Sequence, residues 1–193
     1  MASGLRHLRN FKFTCLLRPD ISVSMTLRKP HKSDASSIAA ISIEVWLGTY
    51  IKRGVRGAFA DYALSEFTQS KTEQLICDPA QFMMVSENED GIDGFIRVST
   101  GRSAPVSGCS DVEISTLYVQ PYHHGKGIGK RLLSAAFQYA RGKGVKSVWL
   151  ATNAENSPAI AFYLSQGFEH VGETHFQIEN DAYLNNVYCY RLE

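Results

Sequence analysis

The spacing of hydrophobic positions changes several times along the chain, and each change marks a new element of secondary structure. Apolar runs rich in β-branched and aromatic residues predict strands over 23–27, 82–86, 94–99, 112–119, 147–151, 168–177 and 183–190. Apolar residues at helical spacing predict a helix over about 34–50, a second helical region ending at 63, a helical turn over 73–77, and helices from 126 or 127 to 141 and over 157–166. Early helices, a strand meander, two strand–helix units and a closing hairpin predict an α+β fold, with one mixed sheet and helices on both faces.

The length of the chain and its balance of charges narrow the function classes. A chain of 193 residues is long enough for one well-packed domain and leaves little room for a second. Twenty Lys and Arg residues nearly cancel 19 Asp and Glu residues, so the net charge is only +1. That charge gives no overall field for nucleic acid or an anionic membrane surface, and no apolar run is long enough to cross a bilayer. We therefore expect a domain that has neither nucleic acid nor membrane as a partner.

The first 24 residues differ from the rest of the chain. They are rich in Lys and Arg and contain no acidic residue before Asp20, which leaves open a transit peptide or an upstream extension. The extension is favoured because residues 25–28 resemble a natural first strand. The four cysteines form no C-x-x-C pair, and His123 and His124 have no third ligand at useful spacing, so we expect a reduced, cytoplasmic protein without a metal.

A strand, a glycine-rich turn and an amphipathic helix follow one another over 117–141. Bare amides at the start of such a helix favour an anion, so this segment predicts a phosphate-bearing ligand. A Walker A loop is excluded because His124 stands where its first glycine belongs and Arg131 replaces its hydroxyl residue. A dinucleotide fingerprint is weak because Lys130 takes the place of its third glycine. The pattern that remains is Gln or Arg followed by x-x-Gly-x-Gly or Ala, which residues 124–129 match except at the first place.

This turn and two other blocks resemble the GNAT superfamily of acyl-CoA-dependent N-acetyltransferases. The other blocks are the strand over 113–119 and the segment 156–168, which is similar to the family signature N-x-x-A-x-x-F-Y-x-x-x-G-F. All three agree with the family in order and spacing, and the resemblance covers residue 25 to the C terminus. It implies the GNAT fold with a mostly antiparallel central sheet, an N-acetyltransferase domain over 25–193, an extension of uncertain role over 1–24, and acetyl-CoA as co-substrate.

The resemblance also implies where the cofactor lies. In the family, the strand before the turn splays from its neighbour and pairs with the pantetheine arm, while the turn amides hold the pyrophosphate. Carried over residue by residue, this assigns cofactor contacts to Leu117, Tyr118, Val119, His124, Gly125, Lys126, Gly127, Ile128, Gly129, Lys130 and Asn156. His124 departs from the usual Gln or Arg, and we expect little loss because the family uses mainly backbone there.

Acetyl transfer to an amine needs a base near the amine and an acid near the departing thiolate. The resemblance implies Glu113 as general base and Tyr163 as general acid, and Asp111 is a reserve candidate for the base. Cys109 has no evident base partner, which disfavours a covalent acyl-enzyme. Strand alternation is expected to place Glu113 on one face with Ser115, Leu117 and Val119.

The acceptor amine is less constrained by the sequence. The tail and the strand that carries Glu113 look like the bacterial spermidine/spermine N-acetyltransferase branch, which favours a small polyamine acceptor. Such an acceptor needs converging carboxylates, and the candidates are Asp90, Asp93, Asp111, Glu113 and Glu173. The alternatives are a peptide α-amine or lysine acceptor, and an acyl-CoA-binding module without turnover. The closing hairpin could pair between subunits, so a homodimer is one expectation.

Overall fold

The computed structural model describes residues 25–192, and the predicted extension over 1–24 lies outside these residues. The described chain contains seven strands: β1 (Thr26–Arg28), β2 (Gln81–Asn88), β3 (Gly91–Thr100), β4 (Val112–Val119), β5 (Ser147–Asn153), β6 (Glu169–Ile178) and β7 (Asp181–Arg191). It also contains five α-helices: α1 (Ala35–Tyr50), α2 (Gly57–Glu66), α3 (Gln69–Cys77), α4 (Ile128–Gly142) and α5 (Ser157–Ser165). Within this part of the chain, no helix has both the length and the apolar character needed to cross a membrane.

The strands form a single sheet in the order β1-β2-β3-β4-β5-β7-β6. β4 and β5 pair in parallel, and every other neighbouring pair is antiparallel. α1 and α3 pack on β2 and β3 from one side, and α4 covers β2, β3 and β4 from the other. The predicted α+β fold, a mixed and mostly antiparallel sheet with helices on both faces, is therefore confirmed.

Three elements differ from the prediction at their ends. α3 has nine residues instead of a single turn, because Thr68 Oγ1 caps it by accepting a hydrogen bond from the Lys71 amide at 3.2 Å. α4 begins at Ile128, because Gly127 directly before it has a left-handed φ of 80°. The strand predicted over 23–27 is observed as Thr26–Arg28, and the first two predicted positions lie outside the described residues.

Two hydrophobic layers hold the sheet between its helices. The larger layer joins α4 and α5 to the sheet, with Ile96, Leu132, Leu133, Val148 and Leu150 fully buried at its centre. The smaller layer lies under α1 and contains Ile38, Ile41, Met83, Val85 and Phe95. Burying one such side chain contributes roughly 1.5–3 kcal/mol, so these layers fix the strands that carry the site.

A third cluster is largely aromatic and joins α1 and α2 to the β6–β7 hairpin. Trp46 is 4% exposed and stacks on Tyr62 with ring centroids 4.9 Å apart. The cluster also contains Tyr50, Phe59, Phe67, Phe176, Ile178 and Tyr183. It holds the loop between α1 and α2 next to the hairpin.

Candidate active site

β4 and β5 separate soon after they meet. Among residues 25–192, a single bridging pair, Glu113 with Trp149, joins the two strands. Beyond it, β4 continues in register with β3, and β5 continues in register with β7. A gap therefore opens in the middle of the sheet, bordered by the C-terminal half of each strand.

The backbone of β4 turns unpaired groups towards this gap. The carbonyl of Tyr118 faces β3, because its oxygen would lie only 2.9 Å from a Cβ placed on Gly94. Successive peptide groups of a strand point in opposite directions, so the backbone groups of Leu117 and Val119 face the gap. The backbone groups of Leu117 and the amide of Val119 are therefore directed as the family resemblance implies for main-chain contacts.

The turn after β4 leaves amides free at the start of α4. Gly125 and Gly127 have φ angles of 77° and 80°, a left-handed conformation that residues with a Cβ rarely adopt. α4 has no side-chain cap, and the bond from the Arg131 amide to the Gly127 carbonyl, at 3.1 Å, opens its first turn. The amides at 128–130 consequently have no partner within the helix. Together with the helix dipole, they fit the phosphate groups of an acyl-CoA.

His124 is the residue of the turn that departs from the family pattern, and it folds back onto β4. Its Nε2 donates a hydrogen bond to the Val119 carbonyl at 2.9 Å. Since that carbonyl faces the gap, the imidazole occupies one of the predicted strand contacts. The side chains of Lys126 and Lys130 are exposed around the turn. The sequence did not predict this side-chain role for His124.

α5 approaches the start of α4 from the far side of the gap. Asn156 caps α5, with its Oδ1 accepting from the Ala159 amide at 3.3 Å, and its amide nitrogen remains as a donor. The ring of Phe162 would lie 3.3 Å from a Cβ placed on Gly129, so the two helices are in close contact there. The predicted cofactor residues of the turn and Asn156 thus belong to two elements that pack together.

Tyr163 follows Phe162 on α5 and points into the larger hydrophobic layer. Its side chain is 8% exposed and contacts Phe162 and Phe168 edge-on, with ring centroids 5.4 and 5.5 Å away. Within residues 25–192, no protein group hydrogen-bonds its hydroxyl. Burial raises the pKa of the phenol well above its usual value. Burial therefore favours the protonated form of this phenol.

Glu113 lies on the opposite face of β4 and is part of a chain of hydroxyl groups. Ser115 Oγ donates to Glu113 Oε2 at 2.8 Å, and the Ser115 and Ser99 hydroxyls are 2.7 Å apart. Ser99 Oγ in turn donates to Gln81 Oε1 at 2.6 Å. One carboxylate oxygen of Glu113 is thereby oriented, and the other remains available as a proton acceptor.

A bulge in β4 changes which side chains share a face with Glu113. Ser115 has no partner in the ladder with β3, although the residues on both sides of it are paired. Such an insertion reverses the alternation beyond it, so Leu117 and Val119 pack into the layer under α4. The expected shared face is right for Ser115, which hydrogen-bonds Glu113, and wrong for Leu117 and Val119.

Two further side chains of this face were missed by the sequence reasoning. Burial raises the pKa of the Tyr118 phenol, and the neighbouring phenols of Tyr50 and Tyr163 raise it further. Burial lowers the pKa of the Arg97 guanidinium, and the carboxylate of Glu113 opposes this shift. The sequence assigned only a backbone role to Tyr118, because no sequence pattern marks the bulge that turns its side chain to this face.

Two neighbouring cavities open where the α1–α2 loop meets the β6–β7 hairpin. The outer one, of about 560 Å³, is lined by residues 50–56 together with Phe59 and Tyr183. The inner one, of about 310 Å³, is lined by residues 153–155 and 182–184 with Thr49 and Tyr50. Tyr50 and Tyr183 line both cavities, and residue 153 is the last of β5. The two cavities are therefore adjacent, and we refer to them together as the groove, which has Asn153 at the end of β5 in its inner lining.

The carboxylates considered for a polyamine site do not gather around this groove. Asp90 and Asp93 lie by the C-terminal end of β4, whereas Asp111 and Glu113 lie by its N-terminal end. Asp93 lies beside Gln120, which is seven residues along the chain from Glu113, so the two pairs are about 23 Å apart at roughly 3.3 Å per residue. Glu173 lies on β6, at an edge of the sheet. The sheet thus distributes these five carboxylates over separate regions.

The described residues offer little for a metal or for a thiol nucleophile. Within residues 25–192, no group of three or more His, Cys, Asp or Glu side chains could hold a metal ion. His123 Nδ1 instead lies 3.8 Å from an oxygen of the buried Asp93 and 3.5 Å from Lys126 Nζ. Burial and the adjacent Cys189 raise the pKa of the Cys109 thiol to about 11, which keeps it protonated and a poor nucleophile.

Comparisons with known proteins agree with this geometry. An N-acetyltransferase of Mycobacterium bovis, itself described as uncharacterized, is 25% identical over 153 residues, which are 77% of this chain and 94% of that protein. The N-alpha-acetyltransferase RimI of Mycobacterium tuberculosis is 42% identical over 72 residues, which are 37% of this chain and 41% of that protein. The crystal structure of the PaiA N-acetyltransferase of Thermoplasma acidophilum in complex with coenzyme A has a TM-score of 0.65 at 20% identity, covering 84% of this chain and 98% of that one.

The family match lies on the segment that builds the site. Residues 51–168, more than half of the chain, match the Acetyltransferase (GNAT) family. This range includes β4, the turn, α4, β5 and the signature of α5. The chain therefore belongs to the GNAT family of acetyltransferases, which confirms the predicted acyl-CoA-dependent N-acetyltransferase and acetyl-CoA as its co-substrate.

Proposed function

We propose that the protein transfers the acetyl group to a primary amine by direct attack, with Glu113 as the general base and Tyr163 as the general acid. The observation that carries this proposal is the gap between β4 and β5. The gap joins unpaired strand backbone to the uncapped start of α4. A carboxylate and a buried, protonated phenol lie on opposite faces of the same sheet beside it.

Each residue has a defined part in the proton balance. Bound acetyl-CoA supplies a thioester whose carbonyl carbon the amine nitrogen attacks. Glu113 removes a proton from that nitrogen, directly or through a water molecule, with its carboxylate oriented by Ser115. As the carbon–sulfur bond breaks, Tyr163 donates its phenolic proton to the departing thiolate, so that the products are an amide and a thiol.

We place the acceptor in the groove between the α1–α2 loop and the β6–β7 hairpin. This groove reaches Asn153 at the end of β5, which borders the gap, and it opens to solvent at its other end. The resemblance to the bacterial spermidine/spermine branch favoured a small polyamine, which would need the support of converging carboxylates, but the five candidate carboxylates are dispersed. That support for a polyamine is therefore absent, while support for a primary amine entering by the groove remains.

A peptide α-amine is the second candidate acceptor. It is supported by the 42% identity to the RimI N-alpha-acetyltransferase over 72 residues. An open groove at the surface also suits the end of a polypeptide. This candidate differs from a small amine in needing contacts along several residues of an extended chain.

A thiol-release assay with acetyl-CoA tests the proposal across polyamines, small amines and peptides. Glu113→Gln should lower kcat about 10²- to 10⁴-fold while the KM for acetyl-CoA changes little, because only proton transfer is lost. Asp111→Asn tests the reserve candidate for the base and should keep nearly full activity if Glu113 is the base. Equal turnover by wild type and Glu113→Gln would contradict the base assignment. Tight binding of acetyl-CoA without transfer to any amine would favour a binding module instead.

A further inference from the structure

The outer part of the groove is strongly basic. Its lining includes Lys52, Arg53 and Arg56, and no acidic residue lines it. Arg56 is already engaged, because it hydrogen-bonds Tyr183 at 2.8 Å and lies 3.5 Å from an Asp181 oxygen. Lys52 and Arg53 are the other two cations of this lining.

Lys52 and Arg53 are exposed and unneutralised. Among residues 25–192, neither lies within salt-bridge distance of a carboxylate. Lys52 Nζ makes one long contact, at 3.5 Å, to the Gly48 carbonyl. Two like charges held next to each other at the mouth of a groove repel a cation and attract an anion.

The inner part of the groove has the opposite character. Glu155 lines it, and Asn153 lies beside Asn185 in the β5–β7 ladder. Burial raises the pKa of the Tyr50 phenol, and the side chains of Asn153 and Asn185 oppose this rise. The carboxylate of Glu155, which lines this cavity, suits a positively charged group that donates hydrogen bonds, such as an amine.

We propose that the acceptor is a small primary amine that carries a carboxylate at its far end. The amine is directed from the inner end of the groove towards the gap, and the carboxylate lies against Lys52 and Arg53 at the mouth. This inference rests on the proposed function and adds to it the charge of the substrate. It also gives a reason why a polyamine is a poor acceptor, since its second ammonium group would meet both cations.

Three amines of the same chain length test this orientation. 5-Aminopentanoate, 5-aminopentanamide and 1,5-diaminopentane differ only in the charge at the far end, and thiol release gives kcat/KM for each. We expect kcat/KM to be highest for the anion, lower for the neutral amide and lowest for the cation. Each step should be roughly three- to fivefold, as for solvent-exposed charge pairs. The double variant Lys52→Glu/Arg53→Glu should reverse the order and leave the KM for acetyl-CoA unchanged. Lys146→Glu, an exposed site that lines neither cavity, should keep the wild-type order.

The outcomes separate this inference from the proposed function. Transfer that is fastest to 1,5-diaminopentane, or a preference that the double variant retains, overturns the inference and leaves acetyl transfer intact. If wild type transfers the acetyl group to none of the three amines, calorimetric titration of each amine into the protein with coenzyme A compares their affinities. Tighter binding of 5-aminopentanoate that the double variant loses supports the inference while the proposed function fails. Equal or absent binding of all three amines overturns the inference.

Discussion

Replacing Tyr163 by Phe removes one hydroxyl group from the centre of the candidate site. The phenyl ring would keep its edge-on contacts with Phe162 and Phe168, whose centroids lie 5.4 and 5.5 Å away. The hydroxyl makes no hydrogen bond to the described protein. Its loss therefore leaves no buried partner unsatisfied, and we expect the free energy of unfolding to change by less than about 0.5 kcal/mol.

The effect on catalysis should be far larger than the effect on stability. A positioned acid contributes about 10²- to 10⁴-fold, which corresponds to roughly 3–5 kcal/mol of transition-state stabilisation. The raised pKa of Tyr163 also fixes the pH dependence. A phenol with a raised pKa keeps its proton to higher pH than the ordinary value of 10.0, so Tyr163 should cause no fall in kcat below pH 10.

Steady-state thiol release over pH 6–10, together with urea unfolding, measures both effects. Tyr139→Phe is the matched control, because Tyr139 stacks on Phe82 at a centroid distance of 4.2 Å and lies on the far part of α4. It should leave kcat within about twofold of wild type. Wild-type kcat in Tyr163→Phe, or a KM for acetyl-CoA that rises as much as kcat falls, would refute proton donation by this residue.

Three further substitutions, with Gly142→Ala as a control for the first, probe β3, the turn after β4 and the first strand of the sheet. Gly94→Ala would place a Cβ 2.9 Å from a backbone oxygen of β4. Urea unfolding should therefore show a free energy of unfolding lower by roughly 1–3 kcal/mol, and assays should show a higher KM for acetyl-CoA. Gly142→Ala, whose added Cβ would meet nothing within 4 Å, should leave the free energy of unfolding unchanged or raise it. His124→Gln releases the strand-end carbonyl from the imidazole, so the KM for acetyl-CoA should fall by up to about fivefold, and a rise would contradict this role. Arg28→Met removes the 2.6 Å contact to Asp34 and should cost about 1 kcal/mol at pH 7. Arg28 lowers the pKa of Asp34 below 3.8, so the greater stability of wild type should disappear as the pH falls through that lowered value. A difference in thermal unfolding between the two proteins that does not depend on pH would contradict the pairing.

The fold could be predicted from the sequence because the hydrophobic pattern determines each of its main elements. α4 has buried residues at Ile128, Leu132, Leu133, Ala136 and Ala140, the positions that helical spacing selects. The length of α3 was underestimated, because its sequence from Gln69 to Cys77 carries few apolar positions and its start depends on the cap at Thr68. Local polar contacts of this kind contribute to stability without a hydrophobic period.

The glycine-rich turn proposed to hold the cofactor could also be predicted from the sequence, because its conformation depends on the backbone. Glycines at 125 and 127 mark a turn whose amides bind regardless of side chains, and such positions leave a clear pattern in sequence. The acceptor half depends on side chains brought together from distant segments. Lys52 and Arg53 line the same cavity as Tyr183, although more than a hundred residues of sequence separate them. No sequence spacing predicts that they lie together. The sequence therefore indicated the donor and left the acceptor open.

The candidate acid and the candidate base lie on opposite faces of the sheet. Tyr163 approaches from the α4 side of the sheet, and Glu113 belongs to the other face. A continuous sheet would keep an acid and a base on opposite faces apart, with the sheet backbone between them. Here β5 leaves β4 after one bridging pair. On the proposed roles, the opening that admits the pantetheine arm is thus also the opening through which base and acid reach the same thioester, and closing it would abolish cofactor binding and proton transfer together.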